Sequence, residues 1–208
     1  MQKINISLAR KIKMHLKKID KPIIILISGV NGVGKTSLSF NLSNALEIKQ
    51  RVGLGTIVKT LIAISSEKNK KNYLNMDNKF SCTNEKDLKK YALLISRPVN
   101  LLIEKYTQSH TSCIIEGVQL LPIYLQKNII HFHVEIDDIK KYETQLRSPD
   151  IIHKHRVNDR DFKNLLKVDE FLKKEMLNHE VHILKNSHSL IANTNEILES
   201  ILISINKK

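Results

Sequence analysis

Apolar residues along the chain fall into two alternating patterns. The first is a short unbroken run. Residues 23–27 read Ile-Ile-Ile-Leu-Ile, residues 113–118 Cys-Ile-Ile-Glu-Gly-Val, residues 129–136 Ile-Ile-His-Phe-His-Val-Glu-Ile and residues 181–184 Val-His-Ile-Leu. Runs of this length, rich in β-branched residues, are strands of a buried sheet. Arg51-Val52 is a shorter candidate of the same kind. The second pattern has helical spacing. Apolar residues recur at 8, 9, 12, 16 and 19, at 38, 42, 45 and 46, at 57, 58, 61 and 62, and then within 93–103 and 165–177. Each set makes one stripe on a helix. Asp137-Asp138 caps a helix over 139–146, and Asn193 or Thr194 caps a last one over 197–205. Strands alternate with helices, which predicts an α/β three-layer sandwich around a five-stranded, mostly parallel sheet with right-handed connections.

The breaks in the pattern divide the chain. Asp20-Lys21-Pro22 ends the first helix, because proline disfavours helix in the residue before it. Residues 1–21 are thus a basic N-terminal helix, and 22–208 form one further domain. Residues 65–90 are polar and lysine-rich and read as a long mobile connection or an insert that covers a substrate. Pro98 kinks the helix over 89–106 or begins a new segment. Arg97 sits at that break, either directed into a cleft or exposed on the surface.

The chemistry concentrates between the first strand and the next helix. Residues 29–37 read Gly-Val-Asn-Gly-Val-Gly-Lys-Thr-Ser, and Gly29 through Thr36 fit the spacing G-x-x-x-x-G-K-[ST]. Phosphate oxygens need donors packed closely around them. Gly29, Gly32 and Gly34 let the backbone bend so that successive N–H groups point inward. The helix that starts near Lys35 adds its unpaired N–H groups and the positive end of its dipole. In such a loop Lys35 reaches the β- and γ-phosphates of ATP and the Thr36 hydroxyl holds Mg²⁺, while Asn31, Val33 and Ser37 complete the cradle. The bland alternative is a glycine-rich turn that binds nothing.

Other candidates lie beyond the ends of later strands. Glu116 follows a hydrophobic strand, where a carboxylate meets the ligand of a parallel sheet. There it acts on Mg²⁺ through water, takes a proton from an acceptor hydroxyl, or is structural. Gln119 can hydrogen-bond a substrate oxygen. After the second strand, Gly53-Leu54-Gly55 reads as a turn and Thr56 as the cap of the next helix. Thr56 and Lys59 then face a substrate, or are a plain cap and a surface lysine. His131 and His133 share one strand face and make a conceivable metal pair with no further ligand at suitable spacing. Residues 147–162 carry Arg147, His153, Lys154, His155, Arg156 and Arg160 with Pro149. They read as an arginine-bearing lid that neutralises charge on a transferred phosphoryl group, or as a basic surface loop.

Composition narrows this modestly. The 208 residues carry 34 Lys+Arg against 21 Asp+Glu, a net charge of +13 that attracts polyanions. The cations are mostly lysines spread along the chain and aromatics are only 5%, unlike most nucleic-acid surfaces. No stretch matches the roughly 18–20 apolar residues of a membrane span, and residues 1–21 have no signal-peptide core. Two cysteines, Cys82 and Cys113, indicate neither a disulfide scaffold nor a zinc site, so the expected compartment is the reducing cytoplasm.

With these motifs in place the chain resembles, from about residue 22 to the end, the 2-phosphoglycerate kinase family of nucleoside-monophosphate-kinase-like P-loop kinases. The family's loop has the form G-[TS]-[TS]-G-V-G-[TK]-S, here 29–37, and its third strand end I-I-E-G-x-H-x-x-P, here 114–122. The resemblance implies an ATP- and Mg²⁺-dependent kinase acting on a small phosphorylated or hydroxy-acid metabolite. Lys35, Glu116, Arg147 and Arg156 are then catalytic, and Thr56, Lys59, Arg97 and Gln119 lie on the acceptor side. Two positions depart from the family. Gly55 stands where the family has the acid of T-D-S-I-R, and Gln119 stands where it has histidine. The charge leaves open a polynucleotide acceptor on the same fold, and the missing acid leaves open a non-catalytic nucleotide-binding regulator.

Overall fold

The computed structural model describes residues 3–77, 84–127, 129–148 and 157–206. Five strands form one sheet: β1 (Ile24–Ser28), β2 (Gln50–Gly53), β3 (Cys113–Gly117), β4 (Ile130–Glu135) and β5 (His182–Lys185), in the order β2-β3-β1-β4-β5. Every pairing is parallel. The central strand β1 is buried along its whole length, which explains its unbroken apolar run. Its C-terminal end, where the glycine-rich loop begins, pairs Ile27 with Glu116 and Ser28 with both Gly117 and His133.

Helices cover both faces. Helix α1 (Ile6–Ile19) packs against α2 (Lys35–Leu46) and α8 (Leu190–Asn206) on one side. On the other lie α3 (Leu54–Ile64), α4 (Glu67–Asp77), α5 (Glu85–Gln108) and α7 (Asp159–Leu177), with α6 (Ile139–Arg147) between β4 and α7. Ala9 and Ile12 of α1 belong to the same buried cluster as Leu42, Leu198 and Ile201. A second cluster joins Leu26 and Ile115 of the sheet to Leu54, Val58, Ile95 and Val99.

Several elements differ from their sequence reading. Residues 67–77 are helix rather than open connection: α4 lies on α3 and buries Met76. Helix α5 starts earlier than expected, capped by the Asn84 side chain, and runs unbroken through Pro98, with Ile95 and Val99 buried on either side. Helix α3 begins at Leu54, not after Thr56, and its cap position is Gly53. Helix α8 begins at Leu190, so Asn193 and Thr194 are interior and buried rather than capping. The Ser189 hydroxyl accepts from the Ala192 amide in their stead. Cys82, Pro149, His153, Lys154, His155 and Arg156 lie outside the described residues.

Candidate active site

The loop after β1 takes its shape from three glycines. Gly29, Gly32 and Gly34 have φ of 143°, 81° and 107°, a region that side chains disfavour. A Cβ on Gly29 would also lie 2.7 Å from the Val134 carbonyl oxygen. Val33 is buried and Asn31 half-buried, while Thr36 and Ser37 are exposed in the first turn of α2. That turn has neither an acidic residue nor a side-chain cap, so its amides remain available to an anion.

Lys35 is 7% exposed, and its ammonium donates to the Val30 carbonyl at 2.8 Å, within its own loop. Burial lowers its pKa to about 8, and the Glu116 carboxylate opposes that shift. Thr36 faces the same carboxylate, donating from its hydroxyl to Glu116 Oε1 at 2.8 Å. Loop and strand β3 thus bring one cation, one hydroxyl and one carboxylate together at adjacent strand ends. Gly53, paired with Glu116 across β2 and β3, borders this carboxylate; a Cβ there would sit 3.5 Å from Oε1.

The expected acceptor-side residues lie on α3, on α5 and just past β3. Thr56 is exposed in the first turn of α3, two residues after its start, and Lys59 is exposed one turn on. Gln119 is half-buried just past β3, and its backbone carbonyl accepts from Leu121. Arg97 is exposed on the side of α5 that carries Leu93 and Leu101, turned from the buried stripe of Tyr91, Ile95 and Val99. Gly55 faces open space, with nothing within 4 Å of a Cβ added there.

Arg147 ends α6 and is held by two carboxylates, Asp159 at 2.6 Å and Glu143 at 3.1 Å. Its guanidinium lies over the Phe162 ring, 5.7 Å from the centroid. In this structure it joins α6 to α7. Arg160 is exposed in the first turn of α7.

Two features escaped the sequence reading. One is Tyr142, buried on α6, whose hydroxyl donates to the Asn31 carbonyl in the loop. The other is a buried polar chain on the sheet face covered by α5 and α7. Ser28 Oγ is 2.8 Å from His131 Nε2 and 2.9 Å from His133 Nδ1. His131 Nδ1 and His133 Nε2 have no partner among the described residues. Burial pushes both imidazoles down to about 3, with Lys35 and Lys173 adding to the shift of His133, so both are neutral at ordinary pH. Ser28 bridges the two rings; no group of three or more His, Cys, Asp or Glu that could hold a metal ion occurs among the described residues.

No protein-family model matches the chain. A 2-phosphoglycerate kinase of Methanopyrus kandleri is 22% identical over 209 residues, which takes in 90% of this chain; the match spans 64% of that protein's length. Among solved structures, a sugar kinase from Janibacter superposes with a TM-score of 0.56 at 11% identity, covering 88% of this chain and 98% of the other. A shikimate kinase from Aquifex aeolicus superposes with a TM-score of 0.52 at 14% identity, over 88% and 98%. The fold is that of the P-loop kinases. No helix among the described residues is long and apolar enough to cross a membrane.

Proposed function

We propose that this chain, built on the fold of the P-loop kinases, transfers the γ-phosphoryl group of ATP to the hydroxyl of a small anionic metabolite, 2-phosphoglycerate or a chemical relative. One observation carries the reading: Lys35, Thr36 and Glu116 converge where the glycine-rich loop meets the end of β3. The names of the curated relative and of the structural neighbours agree with a small hydroxyl acceptor.

Each residue then has a defined task. The amides of the loop and of the α2 N-terminus bind phosphate oxygens. Lys35 exchanges the Val30 carbonyl for the phosphates and stabilises the charge that spreads as the phosphoryl group moves. The Thr36 hydroxyl and Glu116 carboxylate are hard oxygen donors on one spot, a set that fits Mg²⁺. When bound, that ion would neutralise phosphate charge. Glu116, bordered by Gly53, can also take the proton of an acceptor hydroxyl. Arg147 contributes charge once freed from Glu143 and Asp159.

The test is transfer of labelled γ-phosphate to a panel of phosphorylated and hydroxy-acid metabolites, with 5′-hydroxyl RNA alongside. Label on a small molecule is the expected result, with kcat falling by orders of magnitude in Lys35→Ala. An unchanged kcat in that variant would sink the mechanism. The net charge of +13 favours a second reading, a polynucleotide acceptor, which predicts label on the RNA. ATP bound with no label on any acceptor would turn the reading to a non-catalytic regulator.

A further inference from the structure

Helix α6 backs the outer side of the glycine-rich loop. Tyr142, fully buried, donates its hydroxyl hydrogen to the Asn31 carbonyl at 2.6 Å. One turn on, Leu146 fills the space beside Gly32; a Cβ on that glycine would come within 2.5 Å of its Cδ1. In a trans peptide the carbonyl of one residue and the N–H of the next point in opposite directions. Tying the Asn31 carbonyl to α6 therefore turns the Gly32 N–H away from α6. Gly32 lacks a Cβ and sits at φ 81°, so it offers little resistance of its own to a flip of this peptide. The restraint has to come from outside the loop.

We propose that Tyr142 is a positioning residue, which fixes the 31–32 peptide through the Asn31 carbonyl and so aims the Gly32 N–H at the phosphate chain of a bound nucleotide. Its ligand rests on the kinase reading; the peptide orientation does not. Burial raises the phenol above its ordinary pKa, with Asp169 adding to the shift, so the group remains a donor. The ring stacks on Phe162 with centroids 5.9 Å apart, and Phe162 carries the Arg147 guanidinium on 5.7 Å contact. The Tyr142 ring and the Arg147 guanidinium thus both lie against Phe162.

Tyr142→Phe keeps the ring and removes the hydrogen bond, while Phe162→Leu loosens the stack and leaves the hydroxyl. Two readouts separate packing from positioning: affinity for Mg·ATP by calorimetry, and the Gly32 amide resonance of the nucleotide-free protein. In Tyr142→Phe the affinity should fall about tenfold, the effect of losing one ordinary hydrogen bond. The Gly32 resonance should shift or broaden, and KM for ATP should rise with kcat at saturation preserved. Phe162→Leu should stay within about twofold of the native affinity on the same scale. An unmoved Gly32 amide with native affinity in Tyr142→Phe overturns the proposal, and so does an equal loss in Phe162→Leu. If the native protein binds no nucleotide, the kinase reading fails alone and the Gly32 amide still decides the role of Tyr142. Should Tyr142→Phe not fold, 3-fluorotyrosine incorporation strengthens the donor instead; a Gly32 amide that does not respond then overturns the proposal.

Discussion

Lys35 carries its charge in a place that stability alone would leave apolar. It is buried and its pKa is drawn down to about 8, from an unfolded value near 10.5. Between those two values the unfolded chain holds the proton and the folded chain releases it, so stability rises with pH across roughly 8 to 10.5. Lys35→Met should therefore stabilise the ligand-free protein by roughly 1–3 kcal/mol at neutral pH and abolish the rise, as read by urea unfolding at several pH values. The same variant should lose phosphoryl transfer. His131 and His133 act in the same direction at lower pH. Their folded pKa values near 3 lie below the ordinary 6.5, so the unfolded chain takes up protons first as pH falls. Stability should drop through that window, by roughly 2 kcal/mol per imidazole between pH 6.5 and 5. His131→Asn should show a smaller loss over that interval than the native protein, measured by the same unfolding curves.

At the scale of elements, the passage from β2 into α3 is set by how Leu54 packs. A Cβ on Gly117 would lie 2.3 Å from Leu54 Cγ, so the first residue of α3 is seated on the end of β3. Gly117→Ala should cost about 1–3 kcal/mol through this overpacking, visible as a lowered Tm. Gly55 has free space around it in the first turn of α3. Gly55→Asp should hold or raise Tm, because a carboxylate suits that end of the helix. A change of acceptor preference in the γ-phosphate transfer assay would connect the residue to recognition. The seating of Leu54 also explains why the start of α3 was misread. Thr56 looks like a cap in sequence, yet pairing of Gly53 with Glu116 and burial of Leu54 fix the junction earlier. Central strands were legible because both their faces are buried, which leaves continuous apolar runs at 23–27 and 113–115. Helix α4 was not, since its stability comes from packing on α3 and burial of Met76 rather than from a broad apolar stripe. The loop's own residues were legible for a related reason: each glycine answers a local backbone demand. Tyr142 was not, because its partner lies 111 positions away and an aromatic residue on an amphipathic helix signals only core.

Over the whole molecule, the basic N-terminal helix is part of the core. Ala9 and Ile12 are buried, the Asn5 amide donates to the Asn195 side chain, and Asn195 in turn donates to the Lys3 carbonyl. Removing residues 1–21 should destabilise the protein by roughly 3–5 kcal/mol, the cost of exposing these side chains and the surfaces they cover. A truncated chain that melts at the native temperature would show α1 to be separable. The charge of +13 makes a further prediction. Non-specific binding to RNA should be detectable at low salt and fall steeply between about 50 and 200 mM. Binding that persists above that range would favour the polynucleotide reading over the metabolite one.

The sheet order places β2 and β5 at the two borders, each only four residues long. Each has two exposed residues, and both carry a cation, Arg51 on one and Lys185 on the other. Two copies approaching border to border would bring like charges together along very few open backbone groups. The sheet is thereby discouraged from growing across molecules, and any self-association is directed to the helical faces.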